Sequence, residues 1–493
     1  MSEETKEYKG IFKSTFLFSF VQVVRLLAGI IRNKVAAVIL GPSGMGIIGV
    51  YNTTINFIKT GAGLGVSQSA VRDVSEANGC GDRERFSRTI SLTNRIVWIT
   101  AMLGLIVTLS LSPLLSKWGF GNASYTWAFV LLSFAVAADI FADNQLAILK
   151  GMRQLRSLAK ASIIGSIAAL VTGVPLFYLL GERGIVPSII LSAFTATAVS
   201  FLYVRKIPYE RVSLTINETF HEGRSMLTMG ISLMMVSFLA VVSNYVMIAF
   251  LRARGGLDVI GFYTAGSTII TSYFGIVINA MTTDYYPRIS AINKDDKQLQ
   301  IAVNQQTEVG LLLVFPLAIL FLYLSRIIIR ILYSSEFASV VDYTDYAMLG
   351  TIIMIASRCM SMVLLAKQNS KVFLSISVTM RILILLLSIV LFMLWGIRGL
   401  GIAYLTYGII DLFVAMYFMN RLYRIRFVSR NIINLSVIII FCVLAIIIRR
   451  IESGALVWGL GLFLLSIFYI YVYMKKCMHL NMLSVVTNFI NKH

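Results

Sequence analysis

Long apolar runs separated by short polar stretches form the basic pattern of this chain. Each run covers about 20 residues or more, the length that a helix needs to span a bilayer. The runs lie near residues 14–40, 45–66, 91–115, 125–149, 158–180, 184–206, 226–250, 260–283, 305–333, 338–366, 371–395, 398–420, 431–449 and 454–475. The pattern predicts an all-α integral membrane protein with about fourteen transmembrane helices.

The first two of these helices carry polar side chains along one face. At about 100° per residue, each set forms a single stripe. The stripes are Gln22, Arg25, Gly29 and Arg32 on the first helix, and Asn52, Asn56, Lys59 and Gly63 on the second. An arginine at the bilayer centre costs at least ~2.5 to 3.5 kcal/mol on insertion scales. We therefore expect the stripes to face a water-filled cavity, and their cations to bind an anionic substrate.

The composition excludes a soluble globular protein. Of the 493 residues, 58% are apolar and only 13% are charged, and the mean hydropathy is +0.82. The four cysteines and three histidines show no metal-ligand spacing, so we expect no metal and no cofactor. The predicted loops are too short to assemble a nucleophile, a base and an oxyanion donor. The sequence therefore predicts no catalytic site.

The net charge of +20 mainly reports membrane topology. Cytoplasmic loops carry an excess of lysine and arginine. The two termini and the loops on their side hold 27 of the 43 basic residues, whereas the opposite loops hold nine, including Lys117, Arg449 and Arg450. Both termini are therefore predicted to be cytoplasmic, and no nucleic-acid partner is expected.

An internal repeat divides the predicted helices into two lobes. The tetrapeptide Ile-Gly-Val-Tyr at residues 48–51 recurs as Ile-Gly-Phe-Tyr at residues 260–263, as in transporters built from parallel repeats. At this offset Arg32 corresponds to Asn244, which adds a polar position in the second half. The predicted parts are a first lobe at 1–206, a cytoplasmic linker at 207–225, a second lobe at 226–420, and two further helices with a cytoplasmic tail at 421–493.

Charged residues inside other predicted helices leave two roles open. Asp139, Asp143 and Asp411 are available to pair with the stripe cations, or to carry a coupling ion. Arg358 and Arg381 either bind an anion in the second lobe or pair with a carboxylate, Asp411 or Glu308. Lys34 points away from the stripe and is interpreted as structural.

Residues 44–49 read GMGIIG and formally fit the motif G-x-G-x-x-G. A nucleotide-binding interpretation needs a preceding strand in a βαβ unit, which a membrane helix does not provide. We interpret the glycines as a tight turn and a surface for close helix packing.

The beginning of the chain resembles a known family. Residues 40–46 (LGPSGMG) and 61–72 (GAGLGVSQSAVR) resemble the opening of bacterial Wzx-type oligosaccharide flippases. These flippases form the polysaccharide-transport branch of the MOP exporter superfamily and are related to lipid II flippases and MATE exporters. The fourteen-helix plan with two six-helix lobes is similar to that superfamily over nearly the whole chain.

The resemblance implies a V-shaped flippase of the bacterial inner membrane. Its substrate would be an undecaprenyl-diphosphate-linked oligosaccharide of O-antigen or other lipopolysaccharide biosynthesis, moved from the cytoplasmic to the periplasmic leaflet by alternating access, with ion coupling. Membrane lipid, and the polymerase and chain-length proteins of the glycan pathway, would be its partners. Arg25, Arg32 and Lys59 sit at places comparable to the cavity arginines of the lipid II relative, although lysine at position 59 lacks the bidentate fork of arginine.

Two other functions remain open from the sequence. A multidrug exporter of the same superfamily would need acidic cavity residues for cationic drugs, but the surplus here is basic. An integral-membrane polysaccharide polymerase belongs to a different class, and it would need a sizeable periplasmic loop or an exposed acidic catalytic site. The basic stripes favour the flippase.

Reporter fusions test the predicted topology. Fusions after Cys80, Thr215 and Ile425 are expected to report the cytoplasm, because these positions lie on the side rich in lysine and arginine. A fusion after Lys117 is the opposite control and is expected to report the periplasm. A periplasmic signal at any of the first three positions would overturn the topology.

Overall fold

The computed structural model describes residues 3–80, 82–210, 212–275, 285–286, 288–451 and 456–477, and all regular structure in these ranges is helical. The α-helices are α1 (Glu3–Ala62), α2 (Val66–Gly79), α3 (Arg83–Phe120), α4 (Thr126–Gly151), α5 (Leu155–Leu180), α6 (Ile185–Val204), α7 (Ile216–Ser267), α8 (Asp296–Leu332), α9 (Val340–Ala366), α10 (Ser370–Tyr423), α11 (Ser429–Ile451) and α12 (Leu456–Cys477). Short 3₁₀ segments lie at Gly181–Gly184 and Ser335–Ser339, and a π-helical segment follows α7 at Thr268–Phe274. The predicted all-α membrane fold is confirmed.

Three of these helices bend sharply at a glycine. Gly41 in α1, Gly256 in α7 and Gly396 in α10 have φ values of 67°, 78° and 58°, a region that only glycine adopts readily. The three helices contain 60, 52 and 54 residues. Since a span needs about 20 residues, each is long enough to form two arms that cross a membrane. In the described ranges nine helical segments satisfy the length and composition of a span, and the count of fourteen stays a prediction.

The second arm of α1, after Gly41, packs very closely on α7. A Cβ atom added to Gly46 would lie 2.0 Å from the carbonyl oxygen of Leu257. At the other end of the arm, a Cβ atom on Gly65 would lie 2.1 Å from the carbonyl oxygen of Gly230. Only glycine permits these approaches, so the interpretation of residues 44–49 as a packing surface is confirmed at Gly46.

The chain divides into two compact units. The first contains Met1–Thr264 and Leu332–Glu336, and the second contains Ala265–Ile331 and Phe337–His493. In the first unit, the side chain of Lys34 donates a hydrogen bond to the carbonyl oxygen of Tyr333, in line with its structural interpretation. The predicted lobes are the parts of the chain that are expected to move during transport. Their boundaries stay a prediction.

Several helices begin earlier than the hydropathy pattern predicted. Helix α1 starts at Glu3 rather than near residue 14, because the intervening glutamates and lysines are good helix formers. Helix α8 likewise starts at Asp296 rather than near residue 305. The predicted loop at 67–90 contains α2, which buries Val74 and Ala77 in an apolar cluster with residues of α3 and α4. Hydropathy detects the membrane-spanning part of a helix and misses its polar extension.

The second unit contains a buried ion pair that the sequence analysis did not predict. Arg449 on α11 and Asp345 on α9 form a salt bridge, with side chains only 7% and 0% exposed. The Arg449 guanidinium also donates to the carbonyl oxygen of Leu322 (2.7 Å) and to the hydroxyl of Ser325, both on α8. Arg449 was wrongly assigned to an outer loop. Helix α11 continues to Ile451, so Arg449 lies on the helix, and its side chain is buried in the second unit.

This pair is expected to stabilise the second unit strongly. Arg449→Ala removes the close, buried partner of Asp345 and leaves only the exposed Arg450, 3.8 Å from its carboxylate. Breaking a buried pair in this way costs up to about 3 to 5 kcal/mol and should lower the melting temperature of the purified protein markedly. Arg450→Ala is the comparison variant, because Arg450 is exposed, pairs with exposed Asp342 at 3.1 Å and reaches Asp345 only at 3.8 Å. Exposed pairs contribute about 0 to 1 kcal/mol. Equal losses for the two variants would contradict this interpretation.

Candidate functional site: a cationic cavity

The first unit contains an open cavity of about 810 Å³. Its walls come from both arms of α1, from α2, α4 and α5, and from Met234 of α7. The polar residues that line it are Gln22, Arg25, Lys59, Thr60, Ser67, Gln68, Asp143, Lys150 and Ser162. Three cations and one carboxylate give this cavity a formal charge of +2.

The two predicted polar stripes explain how α1 reaches the cavity. On the first arm, Gln22 and Arg25 are exposed at the cavity wall. On the second arm, Asn52 and Asn56 are exposed and Lys59 is half-buried, while the intervening Ile55 and Ile58 are buried. The helical period thus separates a polar face from a packed face on the second arm.

Lys59 forms the central ion pair of the cavity. Its ammonium nitrogen lies 3.0 Å from a carboxylate oxygen of Asp143 on α4, with side chains 24% and 49% exposed. Asp139, one turn earlier on α4, is half-buried and also interacts electrostatically with Lys59. For Lys59, the proposed pairing with a membrane carboxylate is therefore observed, in a wall that remains open to the cavity.

Arg25 and Lys150 are the other two cations of the cavity. Both side chains are exposed, and neither forms an ion pair with an acidic residue in the described ranges. The wall of this cavity therefore presents two positive charges that no described carboxylate neutralises. An anion entering the cavity would meet them directly.

Other predicted site residues of the first unit lie outside this cavity. Arg32 packs on α5, where a Cβ atom added to Gly173 would lie 3.5 Å from its Nε atom. The amide of Asn244 on α7 donates a 3.4 Å hydrogen bond to the hydroxyl of Thr53. Asn52 and Asn56 are exposed but do not line the cavity. The structure thus brings together only part of the two stripes.

The second unit contains a separate polar cluster. The hydroxyl of Ser357 donates a hydrogen bond to the carboxylate of Asp411. Arg358 and Arg381 are exposed, and both interact electrostatically with the phenol of Tyr404. The alternative partner Glu308 instead accepts a hydrogen bond from Tyr473. These contacts bring Arg358, Arg381 and Asp411 into one neighbourhood without an ion pair between them.

Several residues of the cavity were not predicted from the sequence. Lys150 was counted only as a basic residue of a cytoplasmic loop, yet it follows Asp143 by two helical turns and shares its face of α4. Ser67 and Gln68 lie in the first turn of α2, inside the segment predicted as a loop. The spacing from Asp143 would have identified Lys150, whereas the α2 residues needed the tertiary structure.

The cavity has the chemistry of an anion site. Arginine and lysine donate charge-assisted hydrogen bonds to phosphate oxygens, and these bonds are roughly twice as strong as neutral ones. Gln22, Gln68 and the hydroxyls add neutral donors. In the described ranges no group of His, Cys, Asp and Glu side chains is arranged to hold a metal ion.

Comparison with known proteins gives the same overall picture of the fold. The chain superimposes on the lipid II flippase MurJ in an inward closed conformation with a TM-score of 0.71, at 13% identity, covering 95% of this chain and 100% of that one. It also superimposes on an inward-facing multidrug resistance MATE transporter of the MOP superfamily with a TM-score of 0.65, at 15% identity, covering 85% and 95% of the two chains. The lipid III flippase of Escherichia coli (strain K12) is 19% identical over 388 residues, which cover 78% of this chain and 92% of that protein.

Fold and hydropathy together define a multi-pass helical membrane protein with the fold that MurJ and the MATE transporter share. The model of one family matches residues 35–342. The chain belongs to this family of polysaccharide biosynthesis proteins.

Thiol labelling tests whether the stripe of the first arm faces water. In a background without native cysteines, Gln22→Cys is expected to react rapidly with a hydrophilic maleimide, because a thiol ionises to the reactive thiolate in a wet environment. Leu27→Cys is the control on the same arm, since Leu27 is an exposed apolar residue that would face lipid. Similar rates at the two positions would contradict the water-filled cavity.

Proposed function

We propose that this protein is a flippase that moves a diphosphate-linked oligosaccharide on a polyprenyl lipid across the membrane. The diphosphate binds in the cavity of the first unit, where Arg25, Lys59 and Lys150 are its ligands. The apolar polyprenyl tail stays in the lipid. The head group needs the cavity, because a diphosphate and hydrated sugars cannot cross about 30 Å of hydrocarbon unaided. The protein moves its substrate and makes or breaks no covalent bond.

Arg25 is the observation that carries this proposal. It is an exposed guanidinium in a cavity wall, on a helix that is otherwise apolar enough for a membrane, and it has no described carboxylate partner. A structural arginine inside a membrane protein is expected to be paired, as Arg449 is. An unpaired guanidinium in a wet cavity is suited to bind a phosphate.

The relatives support a lipid-linked substrate. The proteins named above as lipid II flippase and lipid III flippase share the fold or weak sequence similarity with this chain, and the family is one of polysaccharide biosynthesis. An undecaprenyl diphosphate carrier, an O-antigen or lipopolysaccharide repeat unit, and a polymerase and chain-length protein as partners are the finer expectations of the proposal.

Transport proceeds by alternating access between the predicted lobes at 1–206 and 226–420. The protein resides in the bacterial inner membrane with both termini in the cytoplasm, and the head group moves to the periplasmic leaflet. Arg32, Asn52, Asn56 and Asn244 extend the polar path beyond the cavity. Arg358 and Arg381 are candidate anion ligands within the second unit, and the carboxylates of Asp139, Asp143 and Asp411 are the candidates for ion coupling.

One observation favours a multidrug exporter as the second candidate. Several solved structures with a fold similar to that of this chain are MATE transporters. In addition, Asp143 supplies a carboxylate to the cavity. However, this carboxylate is already paired with Lys59 at 3.0 Å, and the remaining charges are positive. A cationic drug would therefore enter a cavity that repels it.

Substitution of Arg25 tests the proposed function. Arg25→Ala is expected to abolish transport of a polyprenyl-diphosphate-linked sugar in reconstituted vesicles, with the amount of folded protein unchanged. Arg25→Lys should keep partial activity, because the charge remains and the planar fork is lost. Arg254→Ala is the control, since it removes the same charge from an exposed position outside the cavity.

A double variant separates substrate binding from charge balance. If Arg25 only neutralised a membrane carboxylate, Arg25→Ala combined with Asp139→Asn or with Asp143→Asn would regain transport. The single variants Asp139→Asn and Asp143→Asn are the controls, and a double variant is judged only where its single aspartate variant keeps transport. We expect the double variants to stay inactive, and recovery of transport would return Arg25 to a structural role.

A further inference from the structure

The connection between α10 and α11 in the second unit carries positive charge that no described carboxylate neutralises. Residues 421–430 read RLYRIRFVSR and contain no acidic residue. The side chains of Arg421, Arg424 and Arg426 are exposed, and none of them forms an ion pair in the described ranges. Arg426 donates a 2.7 Å hydrogen bond to the amide oxygen of Asn420, which orients the guanidinium without neutralising it.

Membrane topology does not explain this lack of carboxylates. The region from α2 to the start of α3 lies on the same predicted side of the membrane and is also rich in arginine. There Arg72, Arg85 and Arg88 form ion pairs with Asp73, Glu76 and Glu222. Topology depends on lysine and arginine and is nearly indifferent to acidic residues. The uncompensated charge between α10 and α11 therefore needs a different explanation.

One carboxylate of α8 lies in the same region, but it is already paired. Asp296 forms a 2.6 Å salt bridge with Lys367, and the ammonium of Lys367 lies 5.3 Å from the centre of the Tyr423 ring. The charge of Asp296 is thus neutralised by a lysine, and the three arginines keep theirs.

The second unit holds this connection in a fixed position. Ile425 is fully buried in an apolar cluster, between the exposed Arg424 and Arg426. Asn304 on α8 donates a 3.0 Å hydrogen bond to the carbonyl oxygen of Arg426 and accepts a 2.8 Å hydrogen bond from the N–H of Val428. Because both a side chain and the backbone are anchored, the guanidinium groups extend from a defined place on the surface.

Arg424 occupies a backbone position that glycine usually takes at the end of a helix. It is the C-terminal cap of α10, with φ 55° and ψ 23°. Helices very commonly end with a glycine in this left-handed conformation. An arginine here has a backbone cost that glycine avoids, which favours a role for its side chain.

An apolar stripe continues from these arginines along α10. Phe413, Tyr417 and Arg421 are spaced by four residues, which places them on one face of the helix. Phe413 and Tyr417 are 62% and 54% exposed. The Arg421 guanidinium donates a hydrogen bond to the Tyr417 hydroxyl, and its central carbon lies 5.8 Å from the centre of that ring. At 1.5 Å per residue, Phe413 lies about 12 Å along the helix from Arg421, so the stripe joins a cationic end to an exposed apolar surface.

We propose that Arg421, Arg424 and Arg426 bind the phosphate of an anionic phospholipid, whose acyl chains lie along the exposed apolar face of α10. Guanidinium groups donate charge-assisted hydrogen bonds to phosphate oxygens, and basic sites on the cytoplasmic side of membrane helices bind anionic head groups. A free phosphate or a soluble acidic protein would use only the cationic end and leave Phe413 and Tyr417 uncovered. A phospholipid matches both ends. This lipid site lies outside the cavity of the first unit and does not depend on the proposed function.

Lipid titration of the full-length protein in detergent tests the site. The probes are phosphatidylglycerol and phosphatidylcholine with the same acyl chains, and native mass spectrometry counts the bound lipids. The unchanged protein should bind phosphatidylglycerol more tightly, because the choline group of the other lipid balances its phosphate charge. The triple variant Arg421→Gln, Arg424→Gln, Arg426→Gln should bind one phosphatidylglycerol molecule at least about tenfold more weakly, as for the loss of charge-assisted contacts, with phosphatidylcholine binding unchanged. Any lipid in the cavity of the first unit remains in this variant, so the loss is assigned to the second unit.

Two further triple variants are the controls. The variant Arg72→Gln, Arg83→Gln, Arg85→Gln removes the same charge from exposed positions on the same predicted side, and it should bind phosphatidylglycerol as the unchanged protein does. Lysine at positions 421, 424 and 426 should keep most of the binding, because the charge remains. A loss in the lysine variant equal to that in the glutamine variant would show that substitution merely disturbs the connection, and would overturn the inference.

A soluble competitor distinguishes a lipid site from a site for free phosphate. Glycerophosphoglycerol is the deacylated form of phosphatidylglycerol, so it has the same head group and no acyl chains. At equal concentration it should not displace the lipid, and displacement would overturn the inference. Equal phosphatidylglycerol binding by the glutamine variant and the first-unit control would overturn it as well. The experiment measures lipid binding and not transport, so its failure and the failure of the proposed function are separate results.

Discussion

The cost of placing a charge in a membrane governs the arrangement of this protein. Each cation inside the membrane must be paired or must face water, and the described residues show three solutions. Arg449 is sealed against Asp345, Lys59 shares Asp143 with an open cavity, and Arg25 faces the cavity without a described carboxylate. Along this series the side chain becomes more exposed and its pairing with a carboxylate becomes weaker. Exposure and pairing together therefore distinguish a structural cation from a candidate ligand better than the presence of a charge does.

Close backbone contact is the second constraint, and it supports the first. The second arm of α1 carries Lys59 on one face, while Gly46 and Gly65 near its two ends touch carbonyl oxygens of α7. These contacts fix the position of the arm at both ends. Lys59 on its polar face is thereby held in the wall of the cavity. Phe57 on the same arm stacks on Phe238 and Tyr245 of α7, which adds apolar contact between the glycines.

Sequence reasoning recovered the features that depend on local period and composition. The fold class and the two polar stripes follow from hydropathy and from the helical repeat. Gln22 and Arg25 of the first stripe and Lys59 of the second meet in one cavity. The partner of Lys59 was left open among three aspartates, Asp139, Asp143 and Asp411, because the choice depends on how the helices pack against each other. The predicted loop position of Arg449 was wrong for a related reason. Its place near the end of a predicted helix gave no sign that Asp345 of α9 would lie opposite it.

Fold similarity alone does not decide between the two transporter functions, because the same architecture appears in MurJ and in MATE proteins. The distinction must come from the cavity. Among the described residues the cavity is lined by three cations and one carboxylate, itself engaged by Lys59, and this excess of positive charge favours the proposed flippase over a carrier of cationic drugs. The family match at residues 35–342 includes Lys59, Asp143 and Lys150 but begins after Arg25. The ion pair and the second lysine thus lie within the matched part of the chain, while the first arm of α1 contributes its own arginine from outside it.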